Sequence, residues 1–229
     1  MPTTLITGCD RGLGAALAEA YARQGWRVFA TCLDPANIEA LAREYPNLRA
    51  LRLDVCEFDQ IAALAEALHD FPIDLLLSNA AAGINFLGGH NPKFGALDYD
   101  VWLSMLRVNT LGAVCLAERF ADHVARSDAR KMVFVSSRMG SIQFNRVGGA
   151  YAYRSSKAAL NACVKSMSVD LLSRRIVVLA VHPGNAKTYE GKGTVELADS
   201  VNGLQSIIQR TNLEETGSFV SYDGLPLPW

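Results

Sequence analysis

Residues 3–26, TTLITGCDRGLGAALAEAYARQGW, carry the pattern that decides the fold. A short β-branched run, TTLIT, breaks at Gly8, and an amphipathic helical pattern begins around Gly12. Between them Gly8, Gly12 and Gly14 form a turn in which the backbone can approach a ligand closely. The helix that follows offers free N–H groups and positive partial charge to a phosphate. The spacing is G-x-x-x-G-x-G, so it is not the G-x-G-x-x-G dinucleotide fingerprint, and no Gly-Lys-Ser/Thr follows to make a Walker A loop. Taken alone, the turn suits a nucleotide, an adenosyl cofactor of a methyltransferase, or a tight strand-to-helix connection with no ligand.

The rest of the chain repeats this alternation. Apolar runs at 26–31, 48–55, 73–79, 131–137, 176–182 and 217–223 are separated by helical patterns near 35–45, 58–69, 98–125, 150–174 and 195–211. Most of the runs are continuously apolar, as in strands covered on both faces. Strand–helix alternation implies right-handed crossovers and an α/β fold built on a doubly wound parallel sheet. No linker, repeat or low-complexity stretch divides the chain, so residues 1–229 read as a single domain. Residues 83–97, rich in Gly, Pro and Asn, read as a surface loop near a substrate. Asp34-Pro35 has the order of a helix start.

Composition excludes several classes. A chain of 229 residues, half of them apolar, can bury a sizeable core, and a net charge of −1 gives no electrostatic case for nucleic acid or an anionic membrane. The five cysteines, Cys9, Cys32, Cys56, Cys115 and Cys163, are dispersed and read as reduced thiols of a cytoplasmic protein. His69, His90, His123 and His182 lack metal-ligand spacing, so no metal is expected. The opening residues MPTTLITG show no export signal.

The chemistry is concentrated in YAYRSSKAALN, residues 151–161. Tyr153 and Lys157, four apart, share one helix face. A neighbouring ammonium would stabilise a phenolate and bring its pKa toward neutrality. Tyr151 has no such lysine and reads as packing. The preceding run ends in VSS, placing Ser136 and Ser137 at the sheet edge where open α/β folds bind ligands. Ser136 reads as turn chemistry, and Ser137 as a hydroxyl that holds a substrate oxygen while Tyr153 protonates it. Asn109, inside a long helical pattern, either faces solvent or disturbs the helix and exposes a carbonyl to water beside Lys157. Asp54 either holds an adenine amino group or caps a turn, and Asn79 either meets the cofactor or closes a turn.

TGCDRGLG, LDV, RVNTLG, VSS, YRSSK and HPGNAKT stand in the order and spacing of the short-chain dehydrogenases/reductases, which the chain resembles from residue 3 onward. YAYRSSKAALNACVKSMSVDL and GSFVSYDGLPLPW are similar to the C-factor and sniffer-type carbonyl reductase branch. The resemblance implies a Rossmann-type sheet of seven strands in the order 3-2-1-4-5-6-7, using NAD(H) or NADP(H) on a small carbonyl or alcohol substrate. It implies Tyr153 as general acid/base, Lys157 tuning it and binding the nicotinamide ribose, Ser137 orienting the substrate oxygen and Asn109 supporting a relay water. Thr7, Gly8, Arg11, Gly12, Leu13 and Gly14 would surround the adenosine and pyrophosphate. Leu33 and Asp34 would stand at the adenosine ribose, with Asp54 and Val55 at the adenine. Asn79, Ala80 and Ala81 would line the cofactor, and Pro183, Gly184 and Thr188 would sit around the nicotinamide. Family habit implies a homodimer or homotetramer through the helices 98–125 and 150–174.

Three departures stand out. SNAA replaces the usual Asn-Asn-Ala-Gly, putting Ser78 and Ala81 where Asn and Gly are customary. The stretch from Ser137 to Tyr153 is longer than in many members. Leu33 stands where NADPH-using relatives carry Arg. Arg11 favours a 2′-phosphate and thus NADPH, while Asp34 is placed either to accept bonds from an NAD ribose or to cap a helix. A non-catalytic dinucleotide sensor on the same fold, or reduction of a C=N or C=C bond, is the alternative function. Met139, Phe144 and Tyr189 are candidate pocket residues.

Overall fold

A computed structural model of the chain describes residues 1–83, 94–188 and 193–229. Seven strands form one parallel sheet: β1 (Thr3–Thr7), β2 (Arg27–Cys32), β3 (Leu48–Arg52), β4 (Leu75–Ser78), β5 (Lys131–Val135), β6 (Val177–His182) and β7 (Ser218–Ser221). Their order is β3-β2-β1-β4-β5-β6-β7, as the resemblance implies. Every residue of β1 and β4 is buried, which accounts for runs without polar alternation.

The helices are α1 (Gly12–Arg23), α2 (Glu39–Glu44), α3 (Phe58–Ala67), α4 (Tyr99–Leu106), α5 (Ala113–Ala125), α6 (Tyr151–Asp170) and α7 (Leu197–Arg210). Period-two alternation along the strands splits the core into two layers. Leu5, Phe29, Leu76 and Phe134 join one layer with Ile61 of α3, Phe120 of α5 and Val164 of α6. Ile6, Val28, Leu77 and Val133 join the other with Leu17 of α1 and Leu204 of α7. Among the described residues, no helix is long and apolar enough to cross a membrane.

Several elements differ locally from the sequence expectations, each for a physical reason. The third strand stops at Arg52, because Asp54 Oδ1 accepts from Cys56 N at 2.9 Å and turns the chain. The stretch at 35 starts as a 3₁₀ turn, Pro35–Ile38, which Asp34 caps through Ala36 N at 3.0 Å. The long helix at 98–125 is interrupted by a π-helical segment, Arg107–Gly112, centred on Asn109. Most of the 83–97 stretch, with His90, and Tyr189 lie outside the described residues.

The order of strands reverses between β1 and β4, which opens a crevice at their C-terminal ends. The glycine turn, Asn79 and Ser137 stand at that edge of the sheet, while Asn109 lies in the π-helical segment and Tyr153 and Lys157 on α6.

Candidate active site

The glycine turn is packed on three sides. Gly8 has φ +71°, and a Cβ there would sit 2.7 Å from Ala80 Cα. A Cβ on Gly14 would meet Asn79 Nδ2 at 2.6 Å and the Gly8 carbonyl closer still. Gly12, at φ +59°, faces the side chain of Thr188, so Thr188 closes the front of the turn. Arg11 is the N-cap of α1 but makes no side-chain capping bond, and the first turn holds no acid. The first N–H groups of α1 thus meet no side-chain cap and suit an anion. Leu13 is buried behind them.

Asn79 reaches across from the end of β4. Its Nδ2 donates to Thr7 O at 2.9 Å and Gly8 O at 3.0 Å. Thr7 Oγ1 accepts from the Asn79 and Ala80 amides, each at 3.1 Å. Asn79 is therefore a clamp that holds the glycine turn on β4. Ala81 is exposed. Ser78 is buried at the end of β4.

Asp10 was missed in the sequence reading. Its Oδ1 accepts from Leu33 N at 3.2 Å and Asp34 N at 3.4 Å, tying the glycine turn to the end of β2. Asp10 and Asp34 together help push the Cys32 thiol up to about 11, after burial. A charged residue inside a glycine turn was the signal for it. Val55 is buried beneath Gly112, where a Cβ would come within 3.1 Å of the Val55 side chain.

Asn109 is buried, and its side chain is fully engaged. Oδ1 accepts from Ala82 N at 2.7 Å, and Nδ2 donates to Ala82 O at 3.0 Å and Ser156 Oγ at 2.9 Å. Of the two readings of Asn109, the disturbed helix is the one observed. The asparagine pins Ala82, the residue after SNAA, to α6.

At the end of β5, Ser136 Oγ donates to Asn161 Oδ1 at 2.6 Å, fastening the strand to α6. This is a tie between elements, where a local turn was expected. Ser137 Oγ accepts from Met139 N at 3.1 Å, and Ser137 is the side chain that acts on the Tyr153 hydroxyl. Burial raises the Tyr153 pKa, and Ser137 counteracts it. Lys157 is not among the groups acting on the phenol. Its Nζ donates to Val135 O at 2.9 Å, and burial pushes its pKa down to about 8. In this structure the Lys157 ammonium is turned to a main-chain carbonyl, and Ser137 supplies the lowering influence on the phenol. Gly140 packs directly on Lys157, where a Cβ would meet the lysine main chain at 2.8 Å.

Beyond β6, Gly184 turns at φ +77° against the Tyr222 ring, and Pro183 O accepts from Ser200 Oγ at 2.6 Å. His182, next to Pro183, has an Nδ1 with no partner among the described residues, and burial pushes its pKa down to about 4. Phe144 lies in the segment after Ser137, where its amide donates to Ser141 Oγ at 3.3 Å. The main-chain oxygen of Trp229 accepts from Ser141 Oγ and Ile142 N, both at 3.1 Å, so the GSFVSYDGLPLPW segment holds that loop.

The family model described as short chain dehydrogenase matches residues 2–196, and the chain belongs to that family, one of oxidoreductases. The C-signal protein of Myxococcus xanthus is 37% identical over 160 residues, covering 69% of this chain and 93% of the relative. Among solved structures, the carbonyl reductase Sniffer of D. melanogaster superposes with TM-score 0.91 at 32% identity over the full length of both chains. An NADPH-bound carbonyl reductase from chicken fatty liver superposes with TM-score 0.90 at 26% identity, covering all of this chain and 94% of that one.

Proposed function

We propose that this chain is an NAD(P)H-dependent carbonyl reductase or alcohol dehydrogenase, with Tyr153 as its general acid/base. The observation that carries the reading is that Ser137, just past the end of β5, is the side chain that acts on the Tyr153 phenol. A substrate carbonyl oxygen placed against both groups receives a bond from Ser137 and a proton from Tyr153. Burial keeps the phenol protonated at neutral pH, which suits the reductive direction. The dinucleotide, when bound, supplies the hydride that adds to the carbonyl carbon. Lys157, with its pKa near 8, and water held at the π-helical segment around Asn109 return a proton to Tyr153.

The glycine turn, with Thr7, Arg11 and Leu13, holds the pyrophosphate, and Asp54 and Val55 border the adenine. Pro183 and Gly184 back the nicotinamide, and Thr188 closes over it from its place beside Gly12. NADPH is the favoured form, since Asp34 caps the Pro35–Ile38 turn and Arg11 stands at the turn that would meet a 2′-phosphate. The NADPH bound to the chicken reductase supports this. The unit is 1–229, works in the cytoplasm, and pairs with copies of itself through the exposed Leu103, Leu111 and Val169.

The test is Tyr153→Phe, measured for turnover and for dinucleotide binding. Turnover falls by about 10³-fold or more while binding stays within about threefold. Wild-type turnover in this variant removes Tyr153 from the mechanism.

A further inference from the structure

A cavity of about 340 Å³ opens beside α6, and neither Ser137, Tyr153 nor Lys157 lines it. Its walls are Trp102 of α4, Met139 and Ile142 of the loop after β5, and Tyr151, Arg154 and Ala158 of α6. Positions 151, 154 and 158 recur at helical spacing and present one side of α6, turned away from Tyr153. The cavity is of the size that small organic ligands fill.

Arg154 is the charged side chain of the cavity's lining, beside the polar Ser141, Asn145 and Ser155. The guanidinium Nε is buried and has no hydrogen-bond partner among the described residues. Nη1 makes a long bond of 3.4 Å to Met139 O. Among the described residues no carboxylate lies within ion-pair distance of Arg154. Arg154 is partly buried, and its sheltered Nε is costly to leave unpaired unless an anion meets it; guanidinium geometry selects planar carboxylates. The neighbouring hydroxyl does not serve this need, because Ser155 Oγ already accepts from Trp102 Nε1 at 2.7 Å and donates to Tyr151 O at 2.7 Å. The apolar walls are aromatic, with the Trp102 and Tyr151 rings 6.2 Å apart at 52°.

We propose that this cavity binds a small amphipathic carboxylate, an aryl or short acyl acid, with its anion on Arg154 and its body against Trp102 and Tyr151. Charge complementarity is what selects this occupant. The cavity also communicates with the proposed active site through two bonds that end on Ser137. Arg154 Nη1 donates to Met139 O, and Met139 N donates to Ser137 Oγ. An acid that draws Arg154 away from Met139 O changes how Ser137 is held, so the site is an effector site for the proposed reductase. The binding half of the proposal is independent of that activity, and the effector half rests on it.

The full-length protein is titrated with hydrocinnamate and with its neutral counterpart hydrocinnamamide, following tryptophan emission without dinucleotide or substrate. The acid gives a saturable change, and the amide binds about tenfold more weakly or worse. Arg154→Gln weakens the acid by about tenfold or more, as does Ala158→Leu, which fills the cavity and keeps the arginine. Ala158→Leu also stands in if Arg154→Gln fails to fold. Carbonyl turnover at saturating acid then shifts kcat/KM without competition against the carbonyl substrate. Equal binding of acid and amide, undiminished binding in both variants, or simple competition with substrate overturns the proposal. So does a dimer that Arg154→Gln dissociates while the acid fails to bind, since a second copy would then occupy the cavity.

Discussion

The glycine turn after β1 and the segment from β5 to α6 lie at the same edge of the sheet but are built differently. In the first, backbone groups are matched by named partners: Asn79 and Thr7 tie it to β4, and Asp10 ties it to β2. Small residues fill the remaining space so closely that Gly14 has no room for a methyl. The second carries strain and unmet groups. Ala150 sits in the left-handed region at φ 46°, Gly148 faces open space, Lys157 is a buried cation and Arg154 keeps an unpartnered Nε. A cradle for a fixed ligand tolerates complete packing. A segment that must position a hydroxyl beside a variable substrate stores its strain locally.

Paired substitutions break or sharpen that contrast. Gly14→Ala is expected to cost about 3 kcal/mol or more and to abolish dinucleotide binding, because the new methyl meets Asn79 and the Gly8 carbonyl. Gly148→Ala has open space, so it costs only the left-handed backbone term of about 1–2 kcal/mol. Denaturant unfolding of the two variants decides it, and equal losses would erase the distinction.

Lys157 adds a pH signature. Its folded pKa is about 8, below the usual 10.5, so above pH 8 the unfolded chain binds more protons. Stability therefore rises between those two values, by an amount on the order of 3 kcal/mol, and the penalty is fully present below them. Lys157→Met should flatten this rise in thermal melts. Persistence of the rise in that variant would place its source elsewhere.

Asp10→Ser probes the cradle's choice of cofactor. Removing this carboxylate from the Leu33 and Asp34 amides frees two donors and a negative charge's worth of repulsion at the 2′ position. NADPH binding should tighten relative to NADH by about tenfold in calorimetric titration. The smallest effect is Ala150→Gly, which relieves the φ 46° backbone and stabilises by up to about 1 kcal/mol. No gain there would mean that the segment is unstrained.

The fold was legible because seven apolar runs alternating with helical patterns leave little choice of topology. Within the site, spacing identified Tyr153, Lys157 and Ser137, since a helix face and a strand end are set by local sequence. What spacing could not convey is where a flexible polar side chain finds its partner. Lys157 turns to Val135 O, Asn109 to Ala82 and Ser156, and Asp34 to its own helix cap. Asp10 and Trp229 O act through contacts across 23 and 88 positions, which local patterns do not encode. Arg154, one residue from Tyr153, was legible only as part of a helix, because its significance depends on the cavity that the fold leaves beside it.

The most direct measurement follows deuterium from reduced dinucleotide, labelled at nicotinamide C4, into the product of a carbonyl panel, using wild type and Tyr153→Phe side by side. Label is expected at the carbinol carbon with wild type and none above background with the variant, although both bind the dinucleotide. Binding without transfer in the wild type across the panel, or undiminished transfer in the variant, would contradict it.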